Sequence, residues 1–119
     1  MKKITKIERD KSLRPFLSNG WLYDLNRDAI TKKFVFSNFV EAFGWMCKAA
    51  IEAEKLNHHP EWSNIYKNVE VTLTSHDIDG LSNLDLELAS KLDAAAASFL
   101  CSYCRRPRNE APLVKFVAR

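Results

Sequence analysis

The chain is poor in residues that bend or loosen a backbone, with three glycines and four prolines among 119 residues. That scarcity excludes a Gly-rich phosphate-binding loop; the length of 119 residues fits one domain, with no internal repeats and no low-complexity segments. Cysteine is scarce as well. Cys47, Cys101 and Cys104 are an odd number at scattered positions, a poor disulfide framework that fits a reducing compartment. Cys101-Ser102-Tyr103-Cys104 is formally a C-x-x-C, but it has no second Cys pair and ends an alanine-rich helical pattern. It reads as two small residues on a helix end. No apolar run approaches the roughly 18 residues of a membrane span, because charges interrupt every candidate. The basic start, Met1-Lys2-Lys3-Ile4-Thr5-Lys6, lacks the apolar stretch of a secretory signal. The expected location is the cytoplasm, with the nucleus open as a second.

Charge is nearly balanced over most of the chain. The formal net charge is +3, yet residues 105–119 carry five positive side chains against Glu110 alone, which leaves the first 104 residues at −1. Direct nucleic-acid binding is therefore not expected of the body. The division expected is a domain over 1–104 and a basic extension over 105–119, in which Pro107 and Pro112 argue against a continued helix.

The hydrophobic pattern gives a fold class. A loose helical pattern over Ile7–Leu17 ends near Pro15. Trp21–Tyr23 and Ala29–Phe36 read as strands joined by the polar turn Asn26-Arg27-Asp28. Ser37 or Asn38 can cap a helix over Phe39–Leu56, with Glu41 three residues after Asn38 and apolar positions at 39, 43, 46, 50 and 53. Pro60 biases His59 toward extended geometry, so the helix stops near Asn57. A short extended piece lies around Ile65-Tyr66. Val69, Val71 and Leu73 alternate with Glu70, Thr72 and Thr74 as in a half-buried strand, Asp79-Gly80 turns, and Ser82 begins a last helix. The order α-β-β-α-β-β-α predicts an α+β domain, a four-stranded antiparallel sheet with three helices packed on one face.

Histidine is the third scarcity, and the informative one. All three histidines fall within 19 residues, His58, His59 and His76. Imidazole titrates near neutrality, at about pH 6.5, so this short segment concentrates proton-transfer capacity. His58 follows the C-terminus of the long helix, where carbonyls favour a cation, and Glu54 one turn earlier acts in the same direction. The competing reading is a plain helix-capping histidine. His59 points away from His58 in an extended segment, which suits lining a pocket better than sharing a metal, and no carboxylate or Cys partner has a familiar zinc spacing. His76 shares the parity of Glu70, Thr72 and Thr74 if the strand stays regular, which places it on the polar side. Asp85 stands three residues after Ser82, so it reads equally as a capping box and as a group orienting a histidine. Trp21 and Trp62 suit either stacking on a flat heterocycle or the core.

Glu54-Lys55-Leu56-Asn57-His58-His59-Pro60-Glu61-Trp62, then Tyr66, His76 and Asp85, resembles the active-site pattern of the pterin-4a-carbinolamine dehydratases. Gly20-Trp21, Arg27-Asp28-Ala29-Ile30, Phe43-Gly44-Trp45-Met46 and Gly80-Leu81-Ser82 extend the likeness over roughly residues 8–100. The resemblance implies a hydro-lyase that dehydrates 4a-hydroxytetrahydrobiopterin to quinonoid dihydrobiopterin, with no metal and no cofactor. It implies His58 and His76 as the acid/base pair and His59 as a ligand-binding group. Glu54 and Asp85 would set the charge state of the histidines, and Asn57–His59, Trp62 and Thr74–His76 (with Ser75) would contact the pterin. Family members often carry Asp where this chain has Asn57. A homodimer or homotetramer is implied. So is a second role found in animal relatives, as a dimerisation cofactor of a homeodomain transcription factor.

Overall fold

The computed structural model describes residues 3–104; the basic segment 105–119 and the side chains of Cys101 and Cys104 lie outside that description. Helix α1, Lys6–Ser18, opens on a capping box: Glu8 N–H donates to Thr5 Oγ1 (3.3 Å) and Thr5 N–H donates to Glu8 Oε2 (3.1 Å). It does not end near Pro15. Pro15 is exposed and stands in the last turn, where its ring costs one intrahelical bond and the chain closes by Asn19 N–H donating to Phe16 O (3.0 Å).

Strands β1 (Leu22–Asp24), β2 (Ala29–Val35), β3 (Glu61–Ile65) and β4 (Asn68–Leu73) form one antiparallel sheet in the order β1-β2-β4-β3. Helix α2 is Phe39–Leu56, and α3 is Asn83–Cys104. The α-β-β-α-β-β-α order is that expected, with one short 3₁₀ helix, His76–Ile78, added before α3. Asn38 caps α2 by accepting from Glu41 N–H at 2.9 Å.

The strands place Ile30, Phe34, Val69, Val71 and Leu73 on one side, where they meet Trp45, Ala49 and Ala53 of α2, Leu88, Leu92 and Ala96 of α3, and Leu13 of α1. Register pairs Ile30 with Leu73 and Phe34 with Val69, so the apolar rows of the two central strands coincide. Trp45 is the centre, 4.4 Å from the Phe34 ring and 5.3 Å from Phe36. The buried stripe of α2 is Ala42, Trp45, Ala49 and Ala53, not the expected 39/43/46/50/53 row, of which only Ala53 is shared; Phe39 and Phe43 are about half exposed, at 49% and 54%. The helix is apolar around most of its N-terminal half, and the small alanines let it approach α3 closely.

Lys32 breaks the apolar row of β2 and is nonetheless buried. Its Nζ donates to Asp93 Oδ1 (2.8 Å) and Asn19 O (2.7 Å), and it lies over the Phe34 ring at 4.8 Å. Asp93 Oδ2 also accepts from Trp21 Nε1–H (2.9 Å) and Asn19 Nδ2–H (3.1 Å), so one carboxylate joins α3 to β2 and to the turn after α1. A buried cation stripped of its partner is costly. Asp93→Ala is expected to destabilise the fold by about 3–5 kcal/mol in urea unfolding; a loss below about 1 kcal/mol would show that the pair is dispensable.

Candidate active site

The site begins where α2 stops. Asn57 takes the left-handed conformation (φ 50°, ψ 44°), its N–H donates to Glu54 O (3.1 Å) and the His58 N–H donates to Ala53 O (3.0 Å). Asn is among the few non-glycine residues at ease in that conformation, which gives this position a local reason to be Asn. The reversal separates the two histidines: the His58 side chain is 9% exposed and that of His59 is 58% exposed.

His58 Nε2–H meets Asp85 Oδ1 at 2.5 Å. Asp85 is fully buried, and its other oxygen accepts from Ser75 Oγ–H (2.8 Å) and Ser82 N–H (2.9 Å). Asp85 thus bonds the backbone at the start of α3 and the His58 ring at once. Its remaining contacts are donors, so the tautomer that suits Asp85 carries its hydrogen on Nε2 and has Nδ1 as the acceptor.

His76 arrives by a different route from the one its strand parity suggested. Strand β4 ends at Leu73, Thr74 and Ser75 are buried, and His76 opens the 3₁₀ turn. Mutual hydrogen bonds between Ser75 and Gly80 (2.9 and 3.2 Å) close that loop. Gly80 must lack a side chain, because a Cβ there would stand 2.5 Å from the Asp28 carboxylate, which accepts from Leu81 N–H at 3.1 Å. His76 is exposed, and its Nε2–H meets Glu61 Oε2 at 2.6 Å. Glu61, first residue of β3, is gripped in turn by Arg27 through Nη1 (2.9 Å) and Nη2 (2.8 Å). The Arg27 hydrogen bonds foremost, and then the His76 one, hold the Glu61 carboxyl down at about 2. Its contribution is thus fully present above the ordinary value of 4.5, is lost only as pH falls toward about 2, and does not vary near neutrality.

Glu54 does not reach His58. It bonds the exposed His59 Nε2 at 2.7 Å, because the left-handed turn at Asn57 carries His58 inward. Each histidine thus has Nε2 on a carboxylate: His58 on Asp85, His59 on Glu54 and His76 on Glu61.

These side chains border an open cleft of about 320 Å³ lined by Asn57–Glu61 and Thr74–Asp77. A second depression, about 410 Å³, adjoins it across Thr74, Ser75 and His76 and is walled by Asn26, Arg27 and Asp79. The structure therefore gathers Asn57, His58, His59, Thr74, Ser75 and His76 at one place, with Asp85 and Glu54 behind two of the rings. Trp62 is not gathered there. It is partly buried against the core, 6.3 Å from Trp45, because its register opposite Val71 turns it to the helix side. Trp21 is wholly core. Arg27 and Glu61 stand in segments that carry the family likeness but have no site role in the sequence, because an Arg in one turn and a Glu after Pro60 have no local periodicity to connect them. Among the described residues, no group of three or more His, Cys, Asp and Glu side chains is arranged to hold a metal ion.

The family described as Pterin 4 alpha carbinolamine dehydratase matches residues 2–95. The chain is 55% identical over 94 residues to a Roseobacter denitrificans protein named "Putative pterin-4-alpha-carbinolamine dehydratase", covering 79% of this chain and 96% of that one. A Ruegeria pomeroyi protein of the same name is 55% identical over 92 residues, covering 77% and 95%. A crystal structure from Brucella melitensis, described as a transcriptional coactivator/pterin dehydratase, superposes with a TM-score of 0.74 at 44% identity, covering 79% of this chain and 98% of that one.

The geometry separates a buried carboxylate from an exposed one. Asp85→Asn places an amide NH₂ against a partner that is itself a donor, and the expected cost is about 1–3 kcal/mol of unfolding free energy. Glu54→Gln at the surface should stay within about 0.5 kcal/mol of the parent. Parallel urea titrations check both, and equal stabilities would contradict the role given to Asp85.

Proposed function

The chain belongs to the pterin 4 alpha carbinolamine dehydratase family, and from that membership and the geometry of the cleft we propose that it dehydrates 4a-hydroxytetrahydrobiopterin to quinonoid dihydrobiopterin, in tetrahydrobiopterin recycling. The observation that carries the reading is the pair of histidines, His58 and His76, lining one cleft with Nε2 fixed on a carboxylate and Nδ1 left over. In the reaction the C4a–O bond breaks, an acid protonates the departing hydroxyl to water, the N5 lone pair forms the C4a=N5 bond, and a base takes the N5 proton. An imidazole can fill either role and is restored once both protons have moved, so no metal or cofactor enters the scheme.

His58 and His76 act as the acid/base groups, one toward each face of the pterin. His59 binds the ring, with Asn57, Thr74 and Ser75 supplying polar edges to the cleft. Asp85 orients His58, and Glu54 acts on His59. The protein works in the cytoplasm, and the domain needed is 1–104, since the matched region stops at residue 95 and the basic extension lies beyond it.

Assembly is part of the proposal. On α2, Phe39, Val40 and Phe43 are 49%, 77% and 54% exposed, an apolar patch that a second copy of the chain would cover. The same patch, with the description of the Brucella protein, favours a second reading as a protein-binding dimerisation cofactor or transcriptional coactivator, a role compatible with catalysis.

Purified protein should accelerate the decay of enzymatically generated carbinolamine. His58→Ala and His76→Ala should each lose about 10²–10⁴-fold on one 4a-epimer and little on the other. The double variant should approach the uncatalysed rate, while His59→Ala should raise KM more than it lowers kcat. Equal losses on both epimers would contradict the division of faces, and full activity in the double variant would remove the catalytic assignment. Light scattering should give a mass well above the 13.7 kDa of one chain, and a fully active monomer would count against assembly.

A further inference from the structure

We propose that Arg27 is a positioning residue for His76: it grips the Glu61 carboxylate with two N–H groups and so fixes the oxygen that holds the imidazole. The proposal rests on the dehydratase reading of the cleft. His76 is the histidine that most needs such help. Its side chain is 69% exposed and stands on a one-turn 3₁₀ helix, whereas His58 is walled in by burial and by the saturated Asp85 carboxylate. An exposed ring on a short turn is free to swing about χ1 and χ2, and the Glu61 bond is what restrains it.

Glu61 alone would be a poor restraint. Its own side chain is 38% exposed, and an exposed carboxylate on a flexible stem sweeps through several rotamers. The Arg27 fork changes that. Nη1 binds Oε1 at 2.9 Å and Nη2 binds Oε2 at 2.8 Å, and Oε2 is the oxygen that also meets His76 Nε2 at 2.6 Å. Two parallel bonds to a planar carboxylate set its plane as well as its position. Arg27 comes from the turn between β1 and β2 and Glu61 from β3, so the pair links the two neighbours of β4, the strand whose end delivers Thr74, Ser75 and His76. The low-lying Glu61 carboxyl agrees with this arrangement, since it keeps the acceptor ionised at any pH where the imidazole would work. Arg27 walls the adjoining depression and not the cleft between His58 and His76, so its influence passes through Glu61.

The test compares the parent with Arg27→Met, Arg27→Lys and His76→Ala, each on separately generated 4a-epimers. Arg27→Met should lower kcat by about 10–100-fold on the epimer that His76→Ala disables, with KM within about twofold, and leave the other epimer unchanged. Arg27→Lys should recover part of the loss, because one ammonium cannot fork across a carboxylate. On the His76→Ala background, Arg27→Met should cost nothing more. Long-range ¹⁵N spectra should show neutral His76 protonated on Nε2 in the parent and a tautomer mixture in Arg27→Met. Equal loss on both epimers, additive loss with His76→Ala, or an unchanged tautomer would overturn the proposal. If the folded parent dehydrates neither epimer, the dehydratase reading fails by itself, and the spectra still decide whether Arg27 sets the ring.

Discussion

A carboxylate with no exposure to water must find partners for both oxygens, and the way Asp85 finds them organises this end of the molecule. One oxygen takes the His58 ring, and the other takes the Ser75 hydroxyl and the Ser82 backbone N–H. Those partners come from the end of α2, the exit of β4 and the start of α3. A single buried charge therefore ties three chain segments together at the place where the fold opens a cleft. The cap of a helix and the aim of an imidazole are the same set of hydrogen bonds.

The three histidines share one device and differ in how firmly it is held. Each has Nε2 on a carboxylate, which leaves Nδ1 for a ligand. His58 is held by a buried carboxylate, His76 by a carboxylate gripped by an arginine, and His59 by a single surface contact with Glu54. That gradient matches the proposed division of labour. The two rings proposed for proton transfer have supported partners, and the ring proposed to bind the pterin has a single surface one.

Much of this was legible in the sequence because local rules decide it. Helix α2 was delimited by the Asn38 cap and by Pro60, and the alternation through Val69, Val71 and Leu73 marked β4. Asp85 carries two readings because three-residue spacing from Ser82 suits a cap and a carboxylate near histidines suits an orienter, and its oxygens bond both Ser82 N–H and the His58 ring. What stayed hidden depends on chain segments meeting across the fold. The burial of Lys32 depends on Asp93, 61 positions later, and no local pattern connects the two. Arg27 and Glu61 are 34 positions apart and share no pattern. The buried face of α2 is set one position away from the 43/46/50 row, because Phe39 and Phe43 are as apolar as the core and periodicity cannot say which part of a broad apolar stripe turns inward. Strand parity does not reach His76 because the 3₁₀ turn interrupts it, and Glu54 meets His59 rather than His58 because a left-handed Asn57 reverses the chain.

The central claim is that the cleft between Asn57–His59 and Thr74–His76 receives a pterin against two carboxylate-backed imidazoles. The most direct measurement is a crystal structure of the protein with a dihydropterin bound. The account predicts the ring in that cleft, with Nδ1 of His58 and of His76 turned toward it and both Nε2–carboxylate bonds intact. A pterin seated elsewhere, or one bound with His58 pulled away from Asp85, would contradict it.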